Sequence, residues 1–184
     1  MTNNDVTREI EFIFENLSNG ENSIPSPFEA LKISAVFPVT CLAFYAISLS
    51  YIVYSFVPPD DVWINPVIHY LGGLLAFGCF TLILSLAIVA MLYGPSMLFV
   101  SIPRDVRSKS ILLNKLSGFY RRSCAVFITI NGVFALFVGF YPDAFYVAPF
   151  VFLLSYLIMQ GMISAELTRY GLSSVIRKLR SLIR

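Results

Sequence analysis

Proton transfer, metal ligation and covalent catalysis each need titratable or nucleophilic side chains gathered at one place. This sequence has few to gather: one histidine, His69, and three cysteines, Cys41, Cys79 and Cys124, each in or beside an apolar stretch. His69 falls near the end of its stretch, toward Asp60 and Asp61. With no second histidine or paired carboxylate at depth, it reads as an interfacial residue. The cysteines read as small buried hydrophobes, and their placement builds no disulfide framework. No phosphate-binding glycine loop or nucleophile elbow occurs. Enzymatic activity, a metal and a cofactor are therefore not expected, and neither is direct nucleic-acid binding.

The polar groups inside the apolar stretches point to helix association instead. Asn131 and Gln160 are the strongest candidates for hydrogen bonds between helices, either with each other or across a homo-oligomer. The hydroxyls of Ser34, Thr40, Ser48, Ser50, Thr81, Ser85, Thr129 and Ser155 are expected to bond back to their own helices, or weakly across to a neighbour. Gly132, Ala135 and Gly139 form a small-residue stripe for close helix approach. Ala43, Ala46 and Ser50 form a second.

The elements that carry these residues follow from composition. At 57% apolar, 13% charged and a mean hydropathy of +0.76, the 184 residues have the character of a membrane protein throughout. There is room for about four spans of roughly 20 residues each. The expected fold class is all-α: a polytopic membrane protein, one membrane domain over 1–184, with four transmembrane helices.

Ser26-Pro27-Phe28-Glu29 has the form of a capping box, and it opens a first span over 26–57 with Pro38 as a kink. A second span is expected over 67–93, broken by Gly94-Pro95, with Ser96 to Ile102 continuing along the interface. Dividing it at Gly72-Gly73 would leave only about ten residues for one crossing, too few for a bilayer. Spans three and four are expected over 123–140 and 144–164, joined by the short turn Tyr141-Pro142-Asp143. Between spans two and three, Asp105 to Tyr120 is amphipathic, with Leu112, Leu116 and Phe119 on one face.

Charge sets the topology. The segment 104–122 holds six of the thirteen basic residues (Arg104, Arg107, Lys109, Lys115, Arg121, Arg122) and one acid, Asp105. A short loop rich in Lys and Arg stays in the cytoplasm. Both termini are then cytoplasmic, and the first span acts as its own insertion signal, since no basic, cleavable signal peptide precedes it. The leader, 1–25, contains an acidic amphipathic helix over Asn4 to Leu17. The tail, 165–184, is basic and amphipathic and suits the cytoplasmic leaflet. The loop Pro58 to Pro66 is acidic without a base, and Trp63 with nearby tyrosines marks a membrane surface. Asp60, Asp61, Trp63 and Asn65 in this outer loop, with Arg104, Arg107 and Lys109 on the cytoplasmic face, are the candidate contacts for a protein partner.

The leader ending in Phe14-Glu15-Asn16-Leu17-Ser18-Asn19-Gly20, followed by Ile24-Pro25-Ser26-Pro27-Phe28-Glu29-Ala30-Leu31-Lys32 and the first span, resembles the TraS family. These are the entry-exclusion proteins of F-like conjugative plasmids. The resemblance covers about the first 35 residues and the span pattern, and it carries no site residue over. It implies a multi-pass protein of the bacterial inner membrane that blocks redundant DNA transfer by contacting a donor TraG-like mating-pair protein. Two other readings stay open at this stage. One is immunity against a pore-forming bacteriocin, acting through span surfaces such as Gly132 to Gly139; the other is a small transporter or channel subunit, for which mid-depth polar groups are few.

Overall fold

The computed structural model describes residues 26–55, 66–102 and 104–169. Five α-helices follow in order: α1 (Pro27–Ser55), α2 (Pro66–Val100), the short α3 (Arg104–Lys109), α4 (Ile111–Phe140) and α5 (Ala148–Arg169). A 3-10 segment (Pro142–Val147) joins α4 to α5. No strand occurs among the described residues, and four segments are long and apolar enough to cross a membrane. The protein is thus an all-α, multi-pass membrane protein. The expected leader helix and basic tail lie outside the described residues.

Each long helix starts and turns inward for local reasons. Ser26 Oγ accepts from the Glu29 N–H at 3.5 Å, the N-cap half of the capping box, and Pro27 takes the first helical position, where a proline loses no hydrogen bond. Along α1 the buried residues Ala30, Ser34, Phe37, Cys41, Tyr45, Ser48 and Ile52 recur every three or four positions. That stripe faces protein, while Val36, Val39 and Ile47 on the other side are exposed, as suits lipid.

Hydrogen bonds and contacts between helices give the direction of each. Tyr45 meets Asn131 and Ser48 meets Ala135, so α1 and α4 run parallel. Asn131 meets Ser155 and Cys124 meets Met159, so α4 and α5 run antiparallel. Phe77 packs edge-on against Tyr146 just ahead of α5, and Met91 meets Tyr156 within it, which makes α2 parallel to α5. The chain therefore goes up, down, up and down. One end of the bundle collects the start of α1, the end of α2, α3, the start of α4 and the end of α5. Lys32, Arg107, Lys109, Lys115, Arg121, Arg122 and Arg169 all belong to this end. At the other end Asp143 is the one charged group among the described residues.

Several boundaries differ from expectation. The second span does not break at Gly94-Pro95: α2 runs on through Pro95 to Val100. Its buried stripe continues unbroken through Ile88, Leu92, Ser96 and Val100. In a bilayer, ending a helix exposes backbone groups that lipid cannot satisfy, and this outweighs the one hydrogen bond a proline removes. At 35 residues, α2 is about 52 Å long and exceeds an apolar core of about 30 Å, so it tilts or projects.

The amphipathic loop helix and span three are not separate. Ser110 divides the segment instead: its Oγ accepts from the Leu113 N–H at 3.3 Å and caps α4, which then runs unbroken through Arg121 and Arg122 to Phe140. Leu113 is buried together with Ile102 and Val106 in a small satellite core, and Leu116 and Phe119 are half-buried; the Leu112 side chain lies outside the described residues. The turn after span three extends to Val147, and Phe145 within it is fully buried. α5 accordingly starts four residues later than the expected Ala144 and reaches Arg169, beyond Ser164.

Candidate functional site: a polar junction and a basic end

The polar centre of the bundle is Asn131, which is fully buried. Nine residues separate it from Arg122 and nine from Phe140, about 14 Å of helix each way, so it lies near mid-depth. Its Oδ1 accepts from the Tyr45 hydroxyl at 2.8 Å. Its Nδ2 donates to the Phe127 carbonyl at 2.8 Å and to Ser155 Oγ at 3.0 Å. One amide thus ties α4 to both α1 and α5. One turn further along, Ser48 Oγ donates to the Ala135 carbonyl at 2.6 Å, a second α1 to α4 link.

Magnitudes decide what this junction does. A hydrogen bond between membrane helices contributes about 0.6 kcal/mol on average and about 1.7 at most. Burying an amide without partners costs about 2–7 kcal/mol. The junction therefore gains little over an apolar core, but a one-turn slip of α1 or α5 would orphan Asn131. Its main effect is to fix register.

Asn131 and Gln160, candidates to pair with each other or across a homo-oligomer, are not joined to each other within the chain. Gln160 Nε2 donates to the Tyr156 hydroxyl at 3.4 Å, and that hydroxyl donates to Met91 Sδ at 3.7 Å. Gln160 thus belongs to a weaker chain linking α5 to α2.

Gly132, Ala135 and Gly139 face α1. A Cβ on Gly132 would come within 3.1 Å of the Phe44 ring, and one on Gly139 within 3.7 Å of Tyr51. Ala135 is buried beneath Ser48. The second expected stripe is placed differently. Ala43, Ala46 and Ser50 are exposed, and Ser50 Oγ donates to its own Ala46 carbonyl. The face of α1 that does pack carries larger residues, because the glycines of α4 provide the close approach. Among the cysteines, Cys41 and Cys124 are buried, whereas Cys79 is exposed on the lipid-facing side of α2.

Most hydroxyls bond as expected to their own helix, among them Ser34 to Leu31, Thr40 to Val36, Thr81 to Phe77 and Thr129 to Ala125. Ser48 and Ser155 bond across instead. Tyr45 is not among the polar candidates named from the sequence. Its signal was a tyrosine in mid-span, away from the interfacial belt where tyrosines concentrate.

The basic end is built differently. Lys32, Lys109, Lys115, Arg121 and Arg122 are exposed. Arg107 is only partly exposed, and its guanidinium carbon lies 5.2 Å from the centre of the Phe99 ring, a cation–π contact. Glu166, partly buried, and the exposed Arg169 approach to 3.6 Å, a surface pair of little energetic weight. Of the other candidate contacts, Asp60, Asp61, Trp63 and Asn65 lie outside the described residues. Arg104 begins α3, but its side chain is also outside them, as is that of His69.

No group of three or more His, Cys, Asp or Glu suited to a metal occurs among the described residues. Comparison of the chain with protein-family models, curated proteins and solved structures finds no match.

Proposed function

We propose that this protein acts by recognising another protein at the ends of its bundle, and that its role is entry exclusion in the bacterial inner membrane. There it would block redundant conjugative transfer into the cell that carries it, by contact with a donor TraG-like protein. The observation that carries the recognition part is the way the polar groups are used. Asn131 Oδ1 and both Nδ2 donors have partners within the bundle, so the interior junction is engaged in holding the helices together. Among the described residues the charged groups other than Asp143 gather at one end, where Lys109 is exposed beside the partly exposed Arg107. The entry-exclusion part rests on the resemblance of the leader and first span to TraS-like proteins.

The orientation follows from the same charge asymmetry: the basic end is cytoplasmic by the positive-inside rule, and the acidic loop Pro58 to Pro66 would be outside. The stripe Gly132 to Gly139, which an immunity protein would present to a toxin, faces α1 instead. The experiment is mating into recipients that express this chain alone, from donors carrying a matching F-like plasmid and from donors carrying a distant one. Reduced transfer confined to the matching donor supports the proposal. Equal transfer from both donors into cells with correctly inserted protein rejects it.

A further inference from the structure

We infer that Arg107 anchors a binding site for the phosphate of an anionic phospholipid at the basic end of the bundle. Among the described residues its guanidinium has neither a hydrogen bond nor an ion pair. Its Nε is the one buried side-chain nitrogen or oxygen among them that lacks a partner. Buried donors in folded proteins are nearly always satisfied, so this one marks a missing acceptor.

The setting selects the acceptor. Phe99 holds the guanidinium against its ring by the cation–π contact, so the fork of donors is kept in one place before any ligand arrives. A phosphodiester matches that fork with two oxygens, one for Nε and one for Nη. The Nη groups are not sealed as Nε is. A phosphate meets them first, and a turn of the plane on the Phe99 face brings Nε–H to its second oxygen.

Depth points to lipid. Arg107 follows the end of α2 by seven residues and comes directly after Val106, which is buried in the apolar cluster with Ile102 and Leu113. A guanidinium at the end of a membrane-spanning helix, backed by apolar side chains, sits at headgroup level, and there the bilayer itself supplies phosphate. The exposed lysines and arginines of the same end lack this construction. They add attraction to an anionic leaflet without a fixed geometry.

The test uses the full chain in a neutral detergent, with bound lipid counted by native mass spectrometry during titration with phosphatidylglycerol or phosphatidylcholine. Phosphatidylglycerol is expected to bind the wild type more tightly, and Arg107→Gln is expected to weaken it on the order of tenfold. Lys32→Gln, which removes an exposed charge from the same end, is expected to stay within about twofold. Arg107→Lys keeps the charge but loses the fork and should fall between them. Lipid-free melting of Arg107→Gln at the wild-type temperature separates a lost site from a lost fold. Equal binding of phosphatidylglycerol by wild type and Arg107→Gln, or no preference over phosphatidylcholine, overturns the inference. Inorganic phosphate that displaces the lipid at equal concentration reassigns the site to the free ion and overturns the lipid source.

Discussion

The Tyr45 hydroxyl donates to Asn131 Oδ1 across a sequence separation of 86 residues, at 2.8 Å and out of reach of solvent. The bond joins the first and third spans near mid-depth, where no water can replace it. Removing the hydroxyl leaves the carbonyl of a fully buried amide unpaired, so Tyr45→Phe is expected to destabilise the bundle by about 1–3 kcal/mol. Replacing Asn131 by Leu removes the orphan together with the bond. The double variant is then expected to be more stable than the sum of the single changes predicts, with a coupling of about 0.6–1.7 kcal/mol. Reversible unfolding in mixed micelles measures all four corners of the cycle. Strict additivity would mean the two side chains do not interact.

The glycines of α4 give a comparison within one stripe. Alanine at Gly132 places a methyl 3.1 Å from Phe44, whereas at Gly139 the nearest atom is 3.7 Å away, an ordinary contact. Gly132→Ala is expected to destabilise by about 1 kcal/mol because a buried ring must shift. Gly139→Ala should be neutral or stabilising by up to about 1 kcal/mol from helix propensity. Melting temperatures of the two variants moving in the same direction would contradict the register of α1 against α4.

Ser110 separates α3 from the long α4 by capping it, and the residue is almost fully buried. Ser110→Ala is expected to cost about 1 kcal/mol and Ser110→Asn clearly less, since asparagine caps as well as serine does. Thermal unfolding of the pair is the check, and equal losses for both would assign the effect to packing alone.

Because α2 is continuous through Pro95, alanine there restores a backbone hydrogen bond within an existing helix. Pro95→Ala is expected to raise the melting temperature. A fall would show that the proline holds a bend the bundle needs.

What the sequence made legible follows from the strength of each physical signal. Four spans could be read because charge-free runs such as Ile33 to Pro59 leave few alternatives in a bilayer. Asn131 stood out because an amide at that depth must find partners. The partners themselves did not, since Tyr45 and Ser155 depend on which faces of α1 and α5 turn inward, and mostly apolar helices carry little directional pattern. For the same reason Ala43, Ala46 and Ser50 suggested a packing face but turn outward, and Cys79 lies on the lipid side. The break expected at Gly94-Pro95 applied a rule from water to a helix surrounded by lipid. The contact of Arg107 with Phe99 needs the chain to fold back after α2, and no periodicity encodes that. The outer-loop candidates Asp60, Asp61, Trp63 and Asn65 lie outside the described residues and rest on the sequence alone.

The most direct measurement is mating efficiency from a donor with the matching plasmid into recipients expressing wild type, Tyr45→Phe, or the triple change Arg104→Gln, Arg107→Gln, Lys109→Gln, at equal levels of inserted protein. The triple variant keeps Lys115, Arg121 and Arg122 to hold the topology. Exclusion by wild type that persists in Tyr45→Phe and is lost in the triple variant is the predicted result. Exclusion that survives the triple change but fails with Tyr45→Phe would move recognition into the bundle interior, and a wild type that excludes nothing would contradict the proposed function outright.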